Sequence, residues 1–133
     1  MRNKINACNI ICGFSLVEVL AAVAIIGIIT FLAIPNIVAV KQDSETNMAI
    51  SRAEALNIAL VSYVQANGHE NANDSWNQQI NAQGRYSLLS SYLAFAPSNL
   101  FEYMPSGYQI SLPTDVRRIS KVQLSGPYGE IYY

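Results

Sequence analysis

The sequence predicts an α+β protein in which one long N-terminal helix packs, by its second half, on a small antiparallel β-sheet. Three observations predict this fold class. Residues 19–40 contain no charged side chain, residues 41–66 have apolar side chains at helical spacing, and residues 108–133 contain short stretches with the period of strands. The chain has 133 residues, which is enough for one small domain beside such a helix.

The uncharged run is long enough to cross a lipid bilayer. At about 1.5 Å per residue, residues 19–40 form a helix of about 33 Å, which matches the hydrocarbon layer of a membrane. We therefore expect residues 14–40 to be the membrane-spanning half of the helix. Gly27 and Pro35 interrupt the run, and because proline removes a backbone donor, we expect a bend or local weakening between them.

A short basic leader precedes the apolar run. Residues 1–13 contain Arg2 and Lys4 and no acidic residue, and such charges beside a span favour the cytoplasm for that end. We expect a single-pass protein of the inner (cytoplasmic) membrane with its leader in the cytoplasm and its C-terminal part in the periplasm or outside. The run is too long for a secretory signal that is cut after its apolar core. Cys8 and Cys12 both lie in the leader, so no structural disulfide is expected.

The second half of the helix, residues 41–66, carries one apolar stripe. Its members recur every three or four residues, on one helix face: Ile50, Ala53, Leu56, Leu60 and Val64. Asn67-Gly68 is expected to end the helix, because both residues tolerate the left-handed conformation. Residues 67–133 are too few to bury a core alone, so we expect the stripe to supply one wall of it.

The small C-terminal part, residues 67–133, is expected to contain a loop, a short helix and about three strands. Residues 67–84 are rich in Asn, Gln and Gly and predict a surface loop with one helical turn. Residues 85–96 predict a short helix, ended by Pro97, that buries Leu88, Leu89, Tyr92 and Leu93. Three strands of an antiparallel meander are predicted at residues 108–112, 119–124 and 130–133.

One short motif is more specific than these patterns. Residues 13–18, GFSLVE, follow the basic leader and precede the apolar run, and they closely resemble the class III signal of type IV pilins and type II secretion pseudopilins. The resemblance implies a type IV pilin-like fold. It also implies that a prepilin peptidase cuts between Gly13 and Phe14 and methylates the new amino group of Phe14. Pro35 lies where this family commonly has a helix-breaking proline.

The resemblance also gives the one acidic residue of the motif, Glu18, a partner. An ionised carboxylate without a partner is expensive inside a membrane. In the family, the glutamate of one subunit meets the N-terminal amine of its neighbour, which here belongs to Phe14. The alternative from the residues alone is that Glu18 extends to the lipid headgroups. The stretch from Gly27 to Pro35 matches one that loses helicity when such subunits pack, so Glu18, Gly27 and Pro35 are the expected assembly residues.

The function implied by the resemblance is that of a structural subunit with no catalytic residue and no cofactor. Its expected partners are prepilin peptidase, other pilin or pseudopilin subunits, an inner-membrane platform protein, an assembly ATPase and, before assembly, membrane lipid. A small soluble part without a cysteine pair favours a pseudopilin of a type II secretion system over a type IV pilus or competence pilin. The alternative of another class is a bitopic signal-anchor protein that displays a small binding domain.

Other polar residues give weaker signals. The formal net charge of -1 and the lack of a basic patch argue against a nucleic-acid partner. His69 has no nucleophile tied to it by any motif, so we expect a solvated loop residue and not a catalyst. No metal site is predicted, because no EF-hand spacing is found among the oxygen donors Glu70, Asn71, Asn73 and Asp74.

The C-terminal region contains a basic cluster and a pair of terminal tyrosines. Arg117, Arg118 and Lys121 are expected to be a solvated strand edge, where charge discourages mispairing of strands. Tyr132 and Tyr133 are expected to be sheet and core residues and not a ligand platform.

Overall fold

A computed structural model describes residues 13–133, so the leader charges Arg2 and Lys4 and the cysteines Cys8 and Cys12 lie outside the described residues. The elements follow one another as α1 (Leu16–Asn67), α2 (His69–Asn77), α3 (Ala82–Ser90), α4 (Leu100–Tyr103), β1 (Gln109–Ser111), β2 (Gln123–Gly126) and β3 (Gly129–Ile131). The predicted fold class is confirmed: a long N-terminal helix and a small antiparallel sheet form an α+β chain consistent with the type IV pilin-like fold.

The chain divides into two compact units, Met1–Val40 and Lys41–Tyr133. In the described part of the first unit, α1 leaves every large apolar side chain exposed. The helix is unbroken through Gly27 and Pro35, so the predicted weakening does not interrupt it. A proline removes one backbone donor and crowds one carbonyl, which bends or strains a helix without necessarily ending it.

The second unit is built on the buried face of α1. That face presents Ala49, Ala53, Leu56, Ala59, Leu60, Tyr63 and Val64 to the core. The prediction that the apolar stripe supplies one wall of the core is therefore confirmed, with Ile50 packed at its edge. Three alanines on this face let the other elements approach the helix backbone closely, which a unit of this size needs in order to exclude water.

The end of α1 is fixed by a glycine and an amide. Gly68 has a φ of 76°, a region that favours glycine, and its N–H donates to the Val64 carbonyl at 2.9 Å. The Asn67 side chain donates to the Tyr63 carbonyl at 2.9 Å, so that carbonyls of the last turn have partners. The predicted stop at Asn67-Gly68 is confirmed.

The prediction of a surface loop over residues 67–84 is wrong, because α2 occupies its centre. Ala72 and Trp76 lie one turn apart on α2 and are fully buried. The Trp76 indole N–H donates to the Pro113 carbonyl at 2.8 Å, and the Tyr63 hydroxyl donates to the Ala72 carbonyl at 3.2 Å. Asn- and Gln-rich composition has low helix propensity, but tertiary burial of one large aromatic outweighs it.

The next helix, α3, is displaced from the predicted segment 85–96. It begins after Asn81, whose side chain accepts the Gly84 N–H at 2.7 Å, and it ends at Ser90. The Asn81 cap places the start of α3 before residue 85, and the spacing of apolar residues alone does not predict that start. Leu89 is buried and Leu88 and Leu93 pack at the core edge, as expected.

Tyr92 was expected in the core and is exposed. It lies beyond the end of α3, where its ring covers Tyr63 edge-on at 5.9 Å between centroids. Its hydroxyl accepts a hydrogen bond from the Asn67 amide at 3.3 Å. A position at the boundary between core and solvent suits tyrosine, because its ring is apolar and its hydroxyl needs a hydrogen-bond partner.

The sheet has the predicted antiparallel order β1-β2-β3. Ile110 pairs with Leu124, and Leu124 pairs with Ile131, so the inward side chains of the three strands are in register. The predicted strand over residues 119–124 begins later than expected, at Gln123.

Just before β2, side chains take the place of the backbone hydrogen bonds between strands. The Val122 N–H donates to Asn57 Oδ1 at 2.9 Å, and the Val122 carbonyl accepts from the Tyr133 hydroxyl. Tyr133 is half-buried by this contact, whereas Tyr132 is exposed, so the prediction of a sheet or core role is wrong for Tyr132. Because neighbouring residues of an extended chain point to opposite sides, only one of the two can face the core.

Trp76→Ala should lower the free energy of unfolding by about 3–5 kcal/mol, because it empties the largest fully buried site and leaves the Pro113 carbonyl without its indole donor. The measurement is urea denaturation of the full chain in detergent, followed by far-UV circular dichroism. The matched control is Ile80→Ala, at a fully exposed side chain, which should change the same quantity by less than about 0.5 kcal/mol. Equal effects of the two substitutions would contradict the placement of α2 in the core.

Candidate functional site

The candidate site is the start of α1, where the side chains of Ser15 and Glu18 accept hydrogen bonds from backbone N–H groups of the first turn. The Ser15 N–H donates to Glu18 Oε2 at 3.0 Å, and the Ser15 hydroxyl accepts the Val17 N–H at 3.3 Å. The Ser15 carbonyl accepts the Glu18 N–H at 3.0 Å. This pattern is a variant of the capping box, in which the serine hydroxyl accepts from the N–H two residues on instead of three, and it satisfies backbone donors that a helix start otherwise leaves open.

The capping box gives the carboxylate of Glu18 a partner inside its own chain. Its Oε2 accepts from a backbone amide, and its negative charge lies in the first turn of α1, where the helix dipole favours it. A carboxylate has two oxygens and room for several donors, so this bond leaves Oε1 able to accept another. Glu18 can therefore serve the helix start and still bind a cation.

Ser15 is the residue that the sequence reasoning missed. The signal was present, because a serine followed three residues later by a glutamate is the pattern of a capping box before an apolar run.

The two residues at the expected cleavage point are open to solvent. Gly13 and Phe14 lie outside regular structure, and Phe14 is 89% exposed. Among the described residues beyond its chain neighbours, none has an atom within 4 Å of the position that a Cβ on Gly13 would take. An exposed segment without a side chain at one residue lets a protease approach the peptide bond closely.

The other expected assembly residues lie further along the same helix. A Cβ added at Gly27 would have no described neighbour within 4 Å apart from the backbone of its own helix. Pro35 lies inside α1. Near Gly27, the Thr30 hydroxyl donates to the Ile26 carbonyl at 2.8 Å, so this polar side chain is satisfied within the apolar stretch. At about 1.5 Å per residue, Glu18 and Pro35 are about 25 Å apart along the helix, so one copy does not bring them together.

The first part of α1 provides the setting for this site. Among residues 13–133, α1 is the one helix long and apolar enough to cross a membrane, and none of its most apolar stretch is buried. Length and composition of this kind suit a bilayer span.

The structure does not bring His69 and the oxygen donors of α2 together into a catalytic or metal site within residues 13–133. His69 and Glu70 are exposed residues of the first turn of α2. No group of three His, Cys, Asp or Glu side chains that could hold a metal ion occurs in the described range 13–133.

Asn73 lies inside the fold and not in an exposed loop. It is 2% exposed. With its amide oriented to satisfy its neighbours, its nitrogen donates to Asp115 Oδ1 at 3.0 Å and its oxygen accepts from Arg117 Nε at 3.1 Å. Asn73 therefore connects α2 to the β1–β2 connection and is not free to bind a metal.

The basic cluster lies in the β1–β2 connection and not on a strand edge, which corrects the prediction. Arg117 Nε is 3.7 Å from the Asp115 carboxylate. Lys121 Nζ is 2.9 Å from Glu54 Oε1 and lies 4.7 Å from the centre of the Tyr133 ring. Arg118 is exposed and has no ion-pair or hydrogen-bond partner among the described residues.

The contact with Lys121 changes the acidity of Glu54. The hydrogen bond from Lys121 lowers the pKa of Glu54 below its ordinary value, and a second hydrogen bond from Asn57 acts in the same direction. The pair is exposed to solvent, so its attraction is screened by water and salt. The Lys121–Glu54 pair therefore contributes little to the free energy of unfolding, and its main effect is to hold the β1–β2 connection against α1.

Comparison with known proteins identifies one segment. Residues 9–34 match the family model described as the prokaryotic N-terminal methylation motif, the class III signal of type IV pilin-like proteins. The match covers the expected cleavage point, the capping residues Ser15 and Glu18 and much of the apolar stretch, and it stops before the second unit. No curated protein and no solved structure matches the chain significantly.

The motif implies processing by prepilin peptidase and pilin assembly. Together with the uncovered apolar helix, it fits a pilin-like protein anchored in the inner membrane. Prepilin-like proteins are structural proteins and not enzymes.

Lys121→Met should raise the pKa of Glu54 toward its ordinary value of 4.5, because it removes the donor that favours the ionised carboxylate. A lowered pKa contributes stability above the ordinary pKa that is lost as the pH falls through the folded-state pKa. The wild type should therefore lose more stability on acidification than the variant. The measurement is an NMR titration of the Glu54 carboxyl carbon in the full chain in detergent. Lys41→Met, which breaks the exposed Lys41–Glu45 pair, is the control and should leave Glu54 unchanged.

Proposed function

Because the chain carries the N-terminal methylation motif of type IV pilin-like proteins, we propose that it is a prepilin-like structural subunit that polymerises into a fibre. Prepilin peptidase would cut between Gly13 and Phe14 and methylate the new amino group. The single observation that supports this best is the position of the motif, which lies directly before an apolar helix half that no part of the described chain covers.

In this proposal each part of the chain has one task. Residues 1–13 are the leader, held in the cytoplasm, and residues 14–40 hold the subunit in the membrane before assembly and in the fibre afterwards. Residues 41–66 support the soluble part, residues 67–133, on the far side of the membrane. An uncharged stretch suits both environments, because lipid tails and neighbouring apolar helices are similar media.

The proposed assembly contact is an ion pair between Glu18 of one copy and the Phe14 amino group of its neighbour. Before assembly the carboxylate is held by the Ser15 amide through Oε2. In the fibre Oε1 would accept from the cationic amine, so the capping box could persist while the pair forms. Pairing neutralises two charges that are costly in an apolar medium, and it fixes one axial stagger between subunits.

Within this class we propose a pseudopilin that builds a periplasmic pseudopilus for type II secretion. The observation in its favour is a small soluble unit, residues 41–133, that has no cysteine and therefore no disulfide. Its partners would be other subunits, a platform protein in the inner membrane and an assembly ATPase that drives polymerisation. A type IV pilus or competence pilin would share the motif and the assembly chemistry, and would differ in length and destination of the fibre.

The mature chain should begin at Phe14 with an N-methyl group. The measurement is intact mass and N-terminal sequencing of the protein purified from cells with an active prepilin peptidase. Cells without the peptidase should yield the uncut chain, which is the control. A mature protein that keeps Met1 in peptidase-positive cells would favour the bitopic signal-anchor alternative.

Glu18→Gln and Ser15→Ala should separate the charge of Glu18 from its capping role. Glutamine still accepts the Ser15 N–H and keeps the cap, but it cannot pair with an amine, so fibre yield should fall at least about tenfold. Ser15→Ala removes the hydroxyl acceptor and keeps the charge, so fibres should persist. The measurement is the amount of subunit in sheared fibres, with the cleaved mass checked for both variants. Fibre loss in Ser15→Ala together with normal fibres in Glu18→Gln would show that capping matters and the ion pair does not.

A further inference from the structure

Most cations of the second unit have partners in their own chain. Lys41, Arg52, Arg85, Arg117 and Lys121 contact, in that order, Glu45, the Tyr103 carbonyl, the Trp76 ring, Asp115 and Glu54. Among residues 41–133, Arg118 is the cation for which the structure shows no such contact. A guanidinium presents a planar fork of donors that suits a carboxylate, so Arg118 is available to an acidic group from elsewhere.

Arg118 lines a groove beside the β1–β2 connection. This cavity, which we call the Arg118 groove, has a volume of about 460 Å³, and its lining includes Leu112, Pro113, Thr114 and Ser120. Two further charged residues line it, Asp115 and Lys121, and these are paired with Arg117 and Glu54. It therefore combines one free positive charge with apolar surface and polar groups at its rim. Such a mixture suits a protein segment in which an acidic side chain lies next to an apolar one.

A segment of that chemistry exists on the same unit. Phe95 is 91% exposed and Phe101 is 83% exposed, while the buried aromatic residues of this unit are tyrosines and a tryptophan. Glu102 follows Phe101 and lines, with Phe95 and Arg52, a second cavity of about 350 Å³, and the Arg52 guanidinium there donates to the Tyr103 carbonyl. The Glu102 carboxylate has no ion-pair partner in the described part of the chain. We call residues 95–102 the aromatic segment.

Two large aromatic side chains exposed within one short segment suit a surface that becomes covered. Asp43, Glu70, Asp74 and Glu130 also lack an ion-pair partner within residues 41–133, but none of them adjoins an exposed phenylalanine, and Glu130 already accepts a hydrogen bond from the Tyr132 hydroxyl. Glu102 is therefore the acid that best matches a groove with both charge and apolar lining.

We propose that the aromatic segment of one copy docks in the Arg118 groove of the next copy, with the Glu102 carboxylate accepting from the Arg118 guanidinium. This proposal rests on the proposed function, because a fibre supplies the second copy. A fibre requires a head-to-tail contact between two different patches of the same molecule, whereas a symmetric pair would close. The two surfaces meet that requirement: they are distinct, opposite in charge and each without a partner in one copy.

Cysteine cross-linking in fibres tests the contact directly. Both natural cysteines precede Gly13, so the mature chain has none to interfere. Chains with Glu102→Cys and chains with Arg118→Cys are co-expressed, and sheared fibres are oxidised and analysed on non-reducing gels. A disulfide-linked dimer should form in the mixture and at least about tenfold less in fibres of either variant alone. Efficient dimers in either single variant would indicate a symmetric contact and overturn the proposal.

Charge exchange provides a second test that does not depend on cysteine geometry. Arg118→Glu should lower fibre yield about tenfold or more, because it places two carboxylates together. Adding Glu102→Arg should restore at least half of the yield. Adding Glu70→Arg, at an acid on α2, is the matched control and should not restore it. If Arg118→Glu leaves fibres intact but blocks protein export, the groove serves a cargo protein and the inter-copy contact is refuted.

The same samples separate this proposal from the proposed function. An uncut chain, or a cut chain that never forms fibres, refutes the proposed function and the docking contact with it. Cut chains that form normal fibres without the mixed dimer, and without any effect of Arg118→Glu, refute the docking contact alone.

Discussion

The apolar half of α1 has no cover within the described chain, and the rest of the molecule is arranged around that constraint. From Leu16 to Val40 the large apolar side chains are exposed, on an area far greater than a soluble protein leaves open. Such a surface is stable only in lipid or against other apolar helices. The constraint explains why the only ionised side chain of this stretch lies at its start, where the helix dipole and the Ser15 amide stabilise it.

The other half of the same helix is partly buried, because one of its faces belongs to the core of the second unit. A soluble unit of this size has little chain with which to enclose a core, and α1 supplies a rigid wall with alanines where close approach is needed. Trp76 closes the core from α2, and Asn57 and Tyr133 hold the backbone before β2 where the ladder has not yet begun. The apolar stretch that fits a membrane and the wall of the core thus belong to one continuous helix.

Features set by local chemistry were predictable from the sequence. The apolar stripe, the stop at Gly68, the antiparallel order of the sheet and the methylation motif each follow from spacing or from one residue type with a special role. Features set by tertiary burial were not. α2 has a polar composition and forms because Trp76 is buried, and Tyr92 and Tyr132 are exposed because of where neighbouring elements end. At the candidate site, no role of Ser15 in capping α1 was predicted, although the S-x-x-E pattern at residues 15–18 indicates one.

The proposed fibre depends most on the pairing of Glu18 with the amino group of another copy. Solid-state NMR of mixed fibres measures this directly, with half of the subunits labelled with ¹⁵N and the other half with ¹³C. The account predicts transfer between the Phe14 amine nitrogen and the Glu18 carboxyl carbon in the mixed fibres, because the two nuclei belong to neighbouring copies. Transfer that occurs in uniformly labelled fibres but is absent from mixed fibres would place the pair within one copy and contradict the account.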